Sequence, residues 1–239
     1  MTLTIKADAR TASVRITSTE GGTLYRTDAN GTHPVRLKRV GATAGSFTLR
    51  DYEPALTGTV TYQLGSSTAE TALDGSLVAD VANDVLTLVR RPERRHVPTL
   101  TLDHESSQES RSTLHDIIGR PDPLIVAGPL AKRVGTIEIL GLDAAATRAV
   151  RALHAEEGVF LCRFAAGVET DVYYVPTQIN YSSDSNRWRI RIEYREVGYP
   201  TTLLEGGTGR TYAQLRQQRA TYAAVKAAYP TYRDLEVSA

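Results

Sequence analysis

Few residues of this 239-residue chain have the types and spacing that chemistry requires. His104, Glu105 and Ser106 stand together, and His115-Asp116 follows a short way on, a set from which a hydrolase or metal site could be drawn. Metal binding needs ligands at set spacings on one face, and acid–base work needs two titratable groups aimed at one point. Asp103 to Ser112 is acidic and Ser-rich, reads as a solvated loop, and offers no ligand spacing that fits. The five His residues are dispersed, Glu156-Glu157 looks like ordinary surface at a helix end, and the single Cys162 falls inside a strand-like run. Gly206-Gly207-Thr208-Gly209-Arg210 is glycine-rich, but no strand leads into it, so it reads as a hinge. No phosphate loop, dinucleotide fingerprint, zinc spacing or nucleophile elbow occurs. The expectation is a protein without catalytic residues, cofactor or metal.

What remains is a charge pattern. From Trp188 to Val197, Trp188, Ile190, Ile192 and Tyr194 alternate with Arg189, Arg191, Glu193 and Arg195. A period of two marks a strand with one dry face and one charged face, and Arg187 extends the charged one. A formal charge of +1 and a pI near 7.9 argue against a dedicated nucleic-acid binder, which draws its affinity from a basic excess. The aromatics of this strand also point to the other side. Two readings stay open for Arg187, Arg189, Arg191 and Arg195. They form a solvated face with cross-strand partners such as Glu138 or Glu193, or an intersubunit face that meets acidic loops such as Asp103 to Glu109 of a neighbour.

The elements that would position these residues fall into four stretches. Residues 1–75 read as short strands divided by turns: Ser13-Val14-Arg15-Ile16-Thr17, Thr23 to Arg26, Val35 to Leu37, Ser46 to Leu49 and Thr59 to Leu64. Asp28-Ala29-Asn30-Gly31 is a hairpin-type turn, because Asn-Gly tolerates positive φ. Spacing near ten residues predicts a β-sandwich. Residues 76–98 read as a linker: Val85 to Val89 is strand-like, but Arg90-Arg91-Pro92-Glu93-Arg94-Arg95-His96-Val97-Pro98 is basic and bounded by proline.

Residues 99–200 predict a second β-domain, a sheet crossed by one helix over 143–156. In that helix Asp143 is the N-cap, Ala146, Val150 and Leu153 form the stripe, and Gly158 is the stop. Val159 to Phe164 reads as a strand buried on both faces, and Ser182 to Asn186 as the turn into the arginine strand. Residues 201–239 carry Thr-Tyr starts at positions 211, 221 and 231. They predict a C-terminal helix whose stripe of Tyr212, Leu215, Tyr222, Val225 and Tyr229 must dock on its own domain or on a neighbouring subunit. The fold class is mainly β. One cysteine excludes an intrachain disulfide, and the chain shows neither a signal-type apolar run nor a membrane-length segment, so it is expected to stay soluble without export by its own signal.

Two resemblances follow from these residues. Phe47-Thr48-Leu49-Arg50-Asp51-Tyr52-Glu53-Pro54 and then Gly58-Thr59-Val60-Thr61-Tyr62 resemble the late half of a fibronectin type III-like module, where a Leu-to-Pro corner precedes a strand with an inward Tyr. From Arg91-Pro92 onward, the order is similar to the minor tail proteins of long-tailed actinobacterial phages. It runs through Gly119-Arg120-x-x-Pro123-Leu124-Ile125-Val126, Gly135-Thr136-Ile137-Glu138-Ile139, the helix, Val159-Phe160-Leu161-Cys162-Arg163, Tyr173-Tyr174-Val175-Pro176 and Tyr199-Pro200. The sheet-plus-helix domain of that family resembles that of distal tail proteins, and the repeated Thr-Tyr ending is also similar.

The resemblance implies a ring, commonly a hexamer, at the tail tip of the virion, assembled in the host bacterial cytoplasm. Its partners would be itself, the tail tube protein, the tape measure protein, and the tail hub, baseplate or receptor-binding proteins. It implies no specific nucleic-acid binding and no membrane insertion. The N-terminal position of the fibronectin-like module departs from the family pattern and leaves open whether the chain is the ring protein or an accessory. A rival reading is a carbohydrate-binding accessory module with Tyr173, Tyr181 and Tyr199 as stacking platforms. An enzyme such as a wall hydrolase would need a carboxylate pair in a cleft, and replacing His104, Glu105 and His115 would test that option.

Overall fold

Alternation of apolar and polar residues writes seven short strands into the described residues of the first part of the chain. They are β1 (Leu3–Asp8), β2 (Ser13–Ser18), β3 (Leu24–Asp28), β4 (Gly31–Pro34), β5 (Phe47–Asp51), β6 (Thr57–Leu64) and β7 (Ser67–Asp74). The computed structural model describes residues 3–8, 11–36, 46–74, 84–93, 96–116, 118, 121–141, 143–165, 170–184 and 187–200. Strands β1, β2 and β5 form one antiparallel sheet in that order, and β4, β3, β6 and β7 form another. Val14 and Ile16 of the first sheet share a buried core with Leu24, Val60, Tyr62 and Leu64 of the second. The turn expected at Asp28 to Gly31 is present: Asn30 N donates to Asp28 Oδ1, and Gly31 takes φ 105°, which favours glycine. Strands β1 and β7 were not expected. Their Thr, Lys, Ala and Glu residues suit edge strands half open to water, and such strands carry little hydrophobic signal.

The rest of the described chain closes a barrel. Its strands are β8 (Asp84–Leu88), β9 (His96–Ser107), β12 (Val134–Gly141), β13 (Phe160–Arg163), β14 (Val172–Asp184) and β15 (Arg187–Glu196), running around the wall as β12-β15-β14-β13-β8-β9. Between β9 and β12 the chain makes a separate two-stranded ribbon, β10 (Thr113–His115) and β11 (Leu124–Val126). The structure is mainly β, with one helix, α1 (Ala144–His154), among the described residues.

Two sequence expectations need correcting here. The described residues of the stretch 84–98 do not belong to a linker. Strand β8 is buried along its whole length, pairs with β13 on one side and β9 on the other, and supplies the strand that turns an open sheet into a barrel. The basic run that suggested a linker starts just after β8, where Arg90 and Arg91 reach Glu156 beyond the C-terminus of α1, and ends inside β9. Asp103 to Ser107 is likewise strand rather than loop, because its backbone pairs with β12 from Thr136↔Glu105 to Val134↔Ser107. Polar residues alternate there because the outer face of the barrel is wet, and composition alone cannot tell such a strand from a loop.

Inside, Ile137, Ile139, Phe160, Tyr174, Ile190, Ile192 and Tyr194 form the barrel core, and Val150 and Leu153 of α1 join it. The tyrosine hydroxyls are satisfied within this apolar space. Tyr194 pairs with His104 Nε2 at 2.7 Å, and Tyr174 with His154 Nε2 at 2.9 Å. Burial lowers the His154 pKa, which keeps that imidazole neutral beside Phe160. Pro176 cannot donate to a ladder, and the β14–β15 register shifts between Pro176 and Gln178 to accommodate it. Gly135 lies where β9 and β12 approach most closely: a Cβ there would sit 2.2 Å from the Glu105 carbonyl oxygen.

The helix begins as expected and ends two residues before Glu156. Asp143 is extended and its Oδ1 accepts from Ala146 N at 2.7 Å, while Ala155 closes the last turn. Thr147, Val150 and Leu153 form the buried stripe. Asp143→Ala removes the cap and is expected to cost about 1 kcal/mol in urea-unfolding measurements, with no change in the native near-UV spectrum.

Candidate functional site

The residues that could have formed a catalytic or metal centre are dispersed by the fold. His104 points into the barrel, its ring 4.9 Å from Phe164 and 5.8 Å from Tyr194. Glu105, the next residue on the same strand, faces the opposite side, and His115 lies on the separate ribbon with Asp116 just after it. Among the described residues, no group of three or more His, Cys, Asp or Glu could hold a metal. Cys162 is fully buried in β13, where desolvation pushes its thiol well above the ordinary range, so it is a core residue.

The arginine strand has the two faces expected of it. Ile190, Ile192 and Tyr194 are fully buried, while Arg187, Arg189, Arg191 and Arg195 are exposed. Register places these arginines beside β12 and β14: Arg191 opposite Glu138 and Asn180, Arg189 opposite Leu140 and Ser182, Arg195 opposite Val134 and Val175. Arg189 Nη1 donates to Glu138 Oε1 at 3.1 Å. The same wall carries Asp103, Glu105 and Glu193, so it is a mixed-charge surface. Arg191 and Glu193 line an open depression with His104, Glu105 and Thr136, shaped more like a shallow groove than a ligand pocket.

The three tyrosines considered as stacking platforms already have occupied rings. Arg151 lies 4.1 Å from the Tyr181 centroid, with Trp188 on its other contact at 5.2 Å. Tyr173 and Tyr199 meet edge to face, and His33 stacks on Tyr199 at 4.2 Å while the Arg36 guanidinium lies 4.5 Å from its centroid. Tyr212, Leu215, Tyr222, Val225 and Tyr229 lie outside the described residues.

The most elaborate polar arrangement joins the N-terminal sheets to the barrel, and sequence reasoning missed it. Arg26, 1% exposed, donates through Nη1 to both oxygens of Asp51 at 3.1 and 2.9 Å, and its Nε lies 3.0 Å from Asp28 Oδ2. Burial opposes its charge, but Asp51 and Asp28 outweigh that and hold the guanidinium pKa well above its ordinary value. Tyr62 donates to Asp51 Oδ2 at 3.0 Å, and Glu53 N donates to Asp51 Oδ1. Glu53 accepts from Arg36 Nε at 2.6 Å and, across the junction, from Tyr173 OH at 2.7 Å.

The barrel answers with one buried and one half-buried group of its own. Arg163 is fully buried, and its Nη1 donates to the carbonyls of Ala12 at 2.8 Å and Pro54 at 3.2 Å. Asp171 exchanges hydrogen bonds with the Asn30 side chain at 2.7 and 3.3 Å and accepts from Phe164 N at 3.0 Å. Desolvation raises the Asp171 pKa to about 6, against the pull of those donors and of Arg163. Tyr199 OH donates to the Pro34 carbonyl at 2.7 Å. This junction ties the two parts of the chain together: Arg26 and Arg36 are paired with carboxylates, while Arg163 is held by backbone carbonyls and Asp171 by Asn30 and Phe164 N. No protein-family model matches the chain, and no characterised protein matches it at a significant level.

Proposed function

We propose that this chain is a structural component of a phage tail tip, forming a ring that joins the tail tube to the baseplate or receptor-binding apparatus. The observation that carries the reading is a closed barrel, its core completed by one helix, from which a β-ribbon projects with apolar side chains exposed on both faces. A molecule so built invests its surface in contact with other chains. The sequence resemblance to phage minor tail and distal tail proteins supplies the setting: copies of itself in a ring, commonly six, with tail tube, tape measure and hub or receptor-binding proteins above and below. The N-terminal strands, ordered β1-β2-β5 against β4-β3-β6-β7 with Tyr62 turned inward, support the fibronectin type III-like reading of that module. No catalytic role, cofactor or metal is assigned.

Native mass spectrometry and negative-stain microscopy of the purified chain test the proposal, and ring-shaped oligomers are the expected result. A strict monomer that never joins tail particles would sink it. Within the ring, the arginine wall is assigned to the intersubunit surface. The pair Arg189→Glu and Arg191→Glu is expected to weaken assembly about tenfold while costing the fold no more than about 1 kcal/mol, since the Arg189–Glu138 pair is largely exposed. Unchanged assembly returns that face to a purely solvated role.

A further inference from the structure

The ribbon between β9 and β12 leaves the barrel as an arm. Its base is tied by Ala131 N to the Glu109 carbonyl at 2.8 Å, by Gln108 Nε2 to the Ala131 carbonyl, and by Ser112 Oγ around Gly128. Beyond that, β10 and β11 pair only with each other, Thr113↔Val126, Leu114↔Ile125 and His115↔Leu124. Residues opposite one another in an antiparallel pair share a face. Leu114 and Ile125 therefore lie on one side, 64% and 63% exposed, and Val126 and Leu124 on the other, both 53% exposed. Ile118 near the tip and Leu130 near the base are exposed as well.

One face is aliphatic and the other sets Val126 and Leu124 beside Thr113 and His115, and no described part of the chain covers either. A lone two-stranded hairpin is marginal in water and becomes stable when something packs against it. These six aliphatic side chains present on the order of 600 Å² of apolar surface, close to the ~800 Å² each partner contributes to a standard interface. Asp116 and Asp122 are exposed beside the tip, which disfavours insertion into lipid. Between Gln108 and Lys132, Arg111, Arg120 and Lys132 are balanced by Glu109, Asp116 and Asp122, so the arm has no basic excess for nucleic acid.

We propose that this arm docks on a second copy of the same chain. The inference rests on the ring reading above and names the contact that would build the ring. A head-to-tail ring gives each copy two neighbours, so the two faces of one arm are covered by repetition of a single interface, with no further protein needed. The barrel is closed and offers no free edge, which leaves the arm as the projecting β edge of this half of the molecule.

The experiment uses the full chain. Leu114→Asp with Ile125→Asp is expected to convert rings to monomers on native mass spectrometry with an unchanged far-UV circular dichroism spectrum, because neither side chain enters a core. An Ile125→Cys chain provides the second readout, since the native Cys162 is fully buried and adds little background. Its maleimide labelling is expected to slow at least tenfold between dilute and assembled protein. Rings that survive the double aspartate substitution, or label at the dilute rate, overturn the arm and leave the ring reading standing. A wild-type chain that is monomeric at every concentration overturns both. Arm-dependent flotation of such a monomer with phosphatidylcholine–phosphatidylglycerol vesicles would assign the arm to lipid instead.

Discussion

Asp51→Ala will destabilise this protein by about 3–5 kcal/mol, the range for stripping one partner from a buried ion pair. The size follows from what is left behind. Arg26 is 1% exposed and loses both bonds to the Asp51 carboxylate, keeping only Asp28 beside its Nε. Tyr62 OH and Glu53 N lose their acceptor in the same step. Each orphaned buried donor adds its own desolvation cost. Removing both charges leaves no orphaned guanidinium, and the buried Asp28 carboxylate keeps its bonds from Asn30 N and Ala55 N. Arg26→Met with Asp51→Leu is therefore expected to recover at least half of the single-substitution loss. Guanidinium-chloride unfolding of the wild type, Arg26→Met, Asp51→Leu and the double variant, with Asp51→Ala beside them, measures this directly. A single loss below about 1.5 kcal/mol, or strictly additive losses, would show that solvent or rearrangement satisfies Arg26 without Asp51.

How much of this was legible in the residues depends on whether the signal is local. The arginine strand was, because the alternation from Arg187 to Glu196 is a property of one strand. So was the helix start at Asp143, which one side chain and one backbone N–H decide. Barrel closure was not, because β8 and β9 gain their identity from partners far along the chain, β13 and β12, that no periodicity announces. The linker reading failed for the same reason: Arg90 and Arg91 look solvated until Glu156 is placed against them.

The junction did leave one trace. Arg163 is the only charge in the run Val159 to Phe164, and a charge inside a fully buried strand demands partners. That its partners are the backbone carbonyls of Ala12 and Pro54 lay beyond the reach of sequence. Nothing local in the apolar run Leu124 to Val126 said that both faces of that strand would stay uncovered.

Asp171 gives the same junction a pH dependence with a diagnostic sign. Its pKa is raised from 3.8 to about 6, with burial as the largest cause, although Phe164 N, Asn30 and Arg163 all favour the charged form. A raised native pKa means the folded protein holds this proton more tightly than the unfolded chain. The associated stability is fully present below pH 3.8 and is lost as the pH climbs through about 6. A shift of roughly two units corresponds to about 3 kcal/mol across that window. Other groups titrate there too, so the useful quantity is the difference in unfolding free energy between wild type and Asp171→Asn. That difference is expected to move against the wild type by about 2–3 kcal/mol between pH 4 and pH 7.5, whatever the substitution costs in absolute terms. The opposite slope would mean that Asp171 serves as the buried counterion of Arg163, with a depressed pKa and a charge pair at the centre of the junction. A flat difference would mean that water reaches the carboxyl group. The expected slope instead makes Asp171 a neutral hydrogen-bonding bridge to Asn30 in acid. It also implies that the two parts of the chain are clamped more tightly at pH 5 than at pH 8.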